Sequence, residues 1–192
     1  MNGKLLMGAT CTSLAVASFS ADAALIHQYS FGETGGDGTV LVDSVGGANG
    51  SIVNVGTNQG TVGGGQVTLA GGARTSSDYV QLGSNLLVGL TDATIEVWAT
   101  PNAIQNWSRI FDFGIDTNET LFMSWTAGTE PGSGVGWYDQ QVSLKIDLPP
   151  NTSYDLDTEY HIAMTIEAGG VGSNVTWYVD GALKGSFATN NT

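Results

Sequence analysis

Apolar and polar residues alternate along this chain in short runs with a period of two. The pattern is cleanest in "ATIEVWATP" (93–101), "ETLFMSWT" (119–126), "EYHIAMTIEA" (159–168) and "NVTWYVDG" (174–181). It also marks "ALIHQYSF" (24–31), "GTVLVD" (38–43), "GSIVN" (50–54), "GQVTLA" (65–70), "DYVQLG" (78–83), "WSRIFDFG" (107–114), "GVGWYD" (134–139) and "QVSLKID" (141–147). Successive side chains of a strand point to opposite faces, so each run predicts a strand with one buried and one wet face. Nowhere after residue 24 do apolar residues recur at helical spacing over three turns. A dozen short strands with Gly-rich turns and no helix predict an all-β fold, a jelly-roll sandwich of two antiparallel sheets.

The turns agree with this. Asp180-Gly181 between "TWYV" and "ALKGSF" signals a two-residue hairpin, because a type I′ turn needs positive φ at both positions. "VGGANG" (45–50) and Gly63-Gly64-Gly65 are loops whose backbone path suits glycine. "DLPPNTSYD" (147–155) is a Pro-bounded connection between strands, so residues 24–192 are expected to form one domain.

Residues 1–23 differ from the rest. A lysine, an apolar run from Leu5 to Phe19 and Ala21-Asp22-Ala23 have the form of a secretory signal peptide cleaved before Ala24. The run is shorter than the roughly 20 residues of a membrane span, so no membrane insertion is expected. Cys11, the chain's single cysteine, lies within it, and disulfides and thiolate metal sites are then excluded from the mature protein. The formal charge is −13, and residues 1–23 contribute one Lys and one Asp, so the remainder carries the same −13. Such a surface repels phosphate backbones and anionic membranes; nucleic acid is not an expected partner, and divalent cations are attracted.

The order of "LIHQYSF", "LVDSVGGANGSI", "DYVQLG", "ATIEVWATP", "WSRIFDFG", "EYHIAMTIE" and "VTWYVDGALKGSF" resembles a laminin-G-like domain. It is similar to the bacterial secreted branch of the concanavalin A-like lectin/glucanase superfamily, across nearly all of 24–192. The resemblance implies a concanavalin A-like jelly roll used for binding sugars or proteins, for adhesion and, in some branches, for glycoside hydrolysis. It also implies a last strand pairing with the first. The chain is therefore expected to be incomplete at its C-terminus, leaving 25–31 with an open edge.

The candidate chemistry is sparse. Hydrolysis needs two carboxyl groups, about 5 Å apart in retaining enzymes. The hydrolase branch supplies them from a Glu-x-Asp-x-x-Glu strand, whereas Glu96 has Thr94, Trp98 and Thr100 beside it and no second acid. Glu96 reads as an outward-facing polar residue, and no enzyme activity is expected. In "RIFDFG", strict alternation places Arg109, Phe111 and Phe113 on one face and Ile110 and Asp112 on the other. His27 and His161 sit on separate runs without zinc spacing and read as structural. Asp43 with Asn49, and Asp116 with Asn118 and Glu119, offer hard oxygens to calcium in loops, or else form Asx turns. Among the tryptophans, Trp98, Trp125 and Trp177 read as core. Trp107 follows a loop, and Trp137-Tyr138 follow "GTEPGSGVG", so these three are candidate platforms for a sugar ring, or half-buried strand ends. The expected function is a secreted, non-catalytic module binding extracellular or cell-surface glycan. The alternatives are a structural or protein-binding surface module and, third, a glycoside hydrolase.

Overall fold

The computed structural model describes residues 24–57, 59–73, 75–114, 119–139, 143–146, 153–168 and 172–189, with the backbone alone at 119, 130, 131, 133, 137–139 and 143–146. Every regular element among them is a strand, and every pairing is antiparallel, as the alternation predicts. Residues 1–23, read from the sequence as a signal peptide, lie outside the described residues. Contacts group the chain into two compact units, Met1–Leu86 and Leu87–Thr192.

The first unit contains β1 (Val40–Leu41), β2 (Gly50–Val53), the hairpin β3 (Thr61–Gly63) with β4 (Gln66–Thr68), and β5 (Tyr79–Gln81). One sheet has the order β1-β2-β5. Leu41, Ile52 and Val62 form its core, flanked by Tyr29, Phe31, Val67 and Val80. Gly64 and Gly65, at φ 64° and 83°, close the β3–β4 hairpin, whose first strand is too short to show alternation. The run 24–31 is not the strand its pattern predicts. It makes one bridge, Tyr29 with Asp43, because the Gln28 N–H donates to a carboxylate and Phe31 turns to φ 54°. Leu25 and Ile26 are accordingly exposed.

The second unit is a β-sandwich. It comprises β6 (Ala93–Ala99), β7 (Arg109–Gly114), β8 (Glu119–Ala127), β9 (Glu130–Asp139), β10 (Ser143–Ile146), β11 (Tyr160–Ala168), β12 (Ser173–Val179) and β13 (Ala182–Ala188). The sheets run β10-β9-β8-β7 and β13-β12-β11-β6. Between them lies a shared core: Leu121, Met123, Trp125 and Val135 from one sheet, and Ile162, Met164, Ile166, Val175, Trp177, Val179 and Phe187 from the other. Burying each such side chain stabilises the fold by about 1.5–3 kcal/mol. Asp180 (φ 51°) and Gly181 (φ 74°) join β12 to β13 with the positive φ values a two-residue hairpin needs.

Two departures from simple alternation shape the outer surface. In β7 the register slips between Arg109 and Phe111, leaving Ile110 as an extra residue. Such a bulge reverses the parity of everything before it. Arg109 therefore joins Asp112 on the outer face instead of the two phenylalanines, while Ile110, Phe111 and Phe113 all pack on the core. In β9 the strand starts at Glu130, four residues before its alternating part, with Pro131 and Gly132 both opposite Thr126. Proline lacks an N–H and is tolerated in a sheet at such a bulge. Trp137 and Tyr138 consequently sit inside a strand, not at the edge of a Gly-rich loop.

Candidate functional site

Three arrangements of polar and aromatic side chains stand out. The first is built on the turn 43–50. Asp43 is buried, and its Oδ1 accepts hydrogen bonds from the N–H groups of Gln28 (2.9 Å), Val45 (3.2 Å) and Gly46 (3.0 Å). Oδ2 accepts from Ala48 N–H at 3.0 Å and from His27 Nδ1 at 2.6 Å. Asn49 Oδ1 accepts from the Asp43 N–H at 3.0 Å. Burial alone would raise the Asp43 pKa; the bonds from Gln28, His27, Gly46 and Ala48 outweigh it and hold the carboxyl well below the usual carboxylate range. Asp43 and Asn49 are thus brought together, but by N–H donors. A calcium ion needs six to eight oxygens turned toward one point, and these oxygens are turned toward nitrogen. The pair does not fit calcium. It fastens the segment 25–31 to the sheet, and the Tyr29 hydroxyl donating to Ala48 O completes the fastening. In the second candidate calcium cluster, Asp116 and Asn118 lie outside the described residues, and Glu119 is described by its backbone alone, as the first residue of β8. Among the described residues no three His, Cys, Asp or Glu side chains gather at metal-binding distance.

The second arrangement covers the outer face of the β7–β10 sheet. Trp107 ends the turn 105–108 at φ 62°, in the left-handed region that bulky residues avoid. Its N–H donates to Thr126 Oγ1 (3.0 Å), which in turn donates to Gln105 O (3.0 Å). The indole meets the Phe122 ring edge-on with centroids 6.2 Å apart. A Cβ on Gly134 would stand 2.9 Å from the indole, so a glycine there lets the ring approach the sheet. Arg109 lies flat on Phe122, its guanidinium carbon 3.8 Å from the ring centroid, and donates from Nη1 to Trp107 O at 3.0 Å. Its Nε donates to Asp112 Oδ2 at 3.0 Å, and the other Asp112 oxygen accepts from the Thr120 hydroxyl. The result is a partly exposed indole, a guanidinium and a carboxylate fixed beside one another. Of the other predicted platform residues, Trp137 pairs with Leu121 and Tyr138 with Thr120 in the ladder, and their side chains are not among those described.

The third lies on the outer face of the β6–β13 sheet, and sequence reasoning missed it. Trp98, read as core, is 62% exposed. It stacks on His161, directly opposite on β11, with ring centroids 4.4 Å apart and 24° between planes. Glu96, two residues earlier on the same face, brings Oε2 to 3.4 Å from His161 Nε2. Glu96 is half exposed, as an outward-facing residue should be, and the group facing its carboxylate is the His161 imidazole. Trp125 and Trp177 are core residues as expected, at 7% and 2% exposure.

A family model described as the concanavalin A-like lectin/glucanases superfamily matches residues 74–192. Searches of curated proteins and of solved structures found no match.

Proposed function

The chain belongs to the concanavalin A-like lectin/glucanases superfamily, and from that premise we propose that it is a secreted, non-catalytic module binding extracellular carbohydrate. The observation that carries the reading is the strained, partly exposed Trp107. A non-glycine residue in the left-handed region costs on the order of 1–3 kcal/mol, and such strain clusters at ligand-binding sites. Here it holds a partly exposed indole beside Arg109 and Asp112. An aromatic face takes the C–H side of a pyranose, while a guanidinium donates to hydroxyl oxygens and a carboxylate accepts from hydroxyl protons. A half-exposed Arg–Asp pair stabilises a fold by at most about 1 kcal/mol, so its fixed geometry serves recognition better than stability. Non-catalytic is the reading favoured for Glu96, which meets His161 and stands on an open sheet face. Secretion rests on the form of residues 1–23.

The test is a glycan array followed by titration calorimetry. Trp107→Ala should weaken binding of any sugar held there by at least tenfold, the loss of about 1.4 kcal/mol expected for one aromatic stack. An array flat at high protein concentration would sink the carbohydrate reading in favour of a structural or protein-binding module. Polysaccharide turnover abolished by Glu96→Gln would overturn the non-catalytic one.

A further inference from the structure

We infer that the outer face of the β6–β13 sheet holds a second binding site, one that takes a sugar bearing a protonated amine. The inference shares with the preceding reading only its ligand class, carbohydrate; its residues are different. Ladder partners share a face, so the pairings lay out the surface row by row. One row is Trp98–His161; the next is Glu96–Ala163–Tyr178; the third is Thr94–Thr165–Thr176. Ala163, between Glu96 and Tyr178, supplies the low floor of a trough, with Trp98 and His161 along one side and threonine hydroxyls along the other.

The chemistry of this trough is selective. Trp98 remains largely exposed, and stacking on His161 fixes its orientation while occupying one of its two faces. Immobilising the ring in advance removes an entropic cost that a ligand would otherwise meet. Glu96 follows at i−2, about 6.6 Å along the strand, a distance one pyranose and its amino substituent span. A π-face and a carboxylate side by side favour cations, the first through the ring quadrupole and the second through its charge. The surrounding field agrees, since the formal charge is −13. Of the described cationic side chains in this unit, Arg109 is paired with Asp112 on the opposite sheet, and Lys184 is on β13, about 14 Å across the sheet from β6. A neutral hexose would use the ring and leave the carboxylate facing only the His161 imidazole, whose Nε2 stands 3.4 Å away without a hydrogen bond to it; a simple amine would use the carboxylate and leave the ring bare. A hexosamine uses both.

Two probes on one skeleton test this: a glucosamine hexamer, with its amines protonated, and the fully N-acetylated hexamer, which has none. Titration of the full chain should show the glucosamine hexamer bound about tenfold more tightly, with the advantage shrinking as salt rises. Glu96→Gln should reduce glucosamine affinity to that of the acetylated hexamer, and Trp98→Ala should weaken both. Unchanged melting temperatures in these surface variants keep the comparison clean. Equal binding of the two hexamers, or unchanged selectivity in Glu96→Gln, overturns the inference. An oligolysine bound as tightly as the glucosamine hexamer also overturns it, by assigning the trough to basic peptides. The Trp107 reading is decided by Trp107→Ala and this one by Trp98→Ala with Glu96→Gln, so one can fail without the other.

Discussion

Trp98 shows what alternation settles and what hydrophobicity obscures. Glu96 and Trp98 are two residues apart on one strand, so they must share a face, and a carboxylate on that face argues that it is wet. The indole's apolarity argues the opposite, and reading Trp98 as core followed apolarity. The structure sides with parity: Ile95 and Val97 pack on the core while Trp98 is exposed. The inconsistency was visible in the sequence. The stacking of Trp98 on His161 was not, because the residues are 63 positions apart and only the β6–β11 register joins them. Asp43 was legible as a turn residue, whereas its burial and its set of donors depended on where residues 27 and 28 run. That set makes a prediction about acid stability. A carboxyl whose pKa is depressed on folding contributes stability that is complete above its unfolded pKa, about 3.9, and is lost as pH falls toward the lower folded value. Wild type should exceed Asp43→Asn in urea midpoint by a constant margin at neutral and mildly acidic pH, and the margin should narrow below about pH 4. Urea titrations across that range check it. A margin that persists undiminished to about pH 2 would show that the ionised carboxylate is not what the donors stabilise.

At the scale of elements, most strands after residue 78 were legible, since each has one wet and one buried face. What failed was decided by partners. The β7 bulge arises from pairing with β8, and nothing in "WSRIFDFG" marks Ile110 as the extra residue. Strand β9 extends back through "EPGSG" by pairing with Thr126 and Ala127 of β8, a partnership invisible from either segment alone. The turn 43–50 separates two uses of glycine. A Cβ at Gly46 would stand 2.3 Å from His27 Nδ1 and 2.5 Å from Ile26 O, so there is no room for one. Gly47 has nothing within 4 Å but sits at φ 71°. Gly46→Ala should therefore cost about 1–3 kcal/mol by forcing 25–31 away from the turn. Gly47→Asn should cost less than about 1 kcal/mol, because asparagine tolerates the left-handed region. Hydrogen exchange provides the check: amide protection at Gln28 should fall in Gly46→Ala and persist in Gly47→Asn. Equal losses in both would mean that close packing on His27 is not what the first glycine provides.

Within the Leu87–Thr192 unit the two sheets meet through one core, and this relates the two aromatic surfaces. Phe122, beneath Trp107 and Arg109, alternates with the core residues Leu121 and Met123 and so faces away from the core. Trp98 alternates in the same way with Val97 on the other sheet. Packed sheets stand about 10 Å apart, and each aromatic surface projects outward from its own sheet. Trp107 and Trp98 therefore look in opposite directions, too far apart to stack on the same sugar ring. Substitutions at sites more than about 7–10 Å apart with no shared partner add to within roughly 0.3–0.5 kcal/mol. For any one short oligosaccharide, the binding cost of Trp98→Ala plus Trp107→Ala in the double variant should equal the sum of the single costs within that margin. Calorimetry on the four proteins with a single ligand completes the cycle. A coupling above about 1 kcal/mol would require one ligand molecule to touch both rings, or one substitution to reach the other through the core. The first would make the two surfaces one continuous site, and the second would leave them separate but no longer independent.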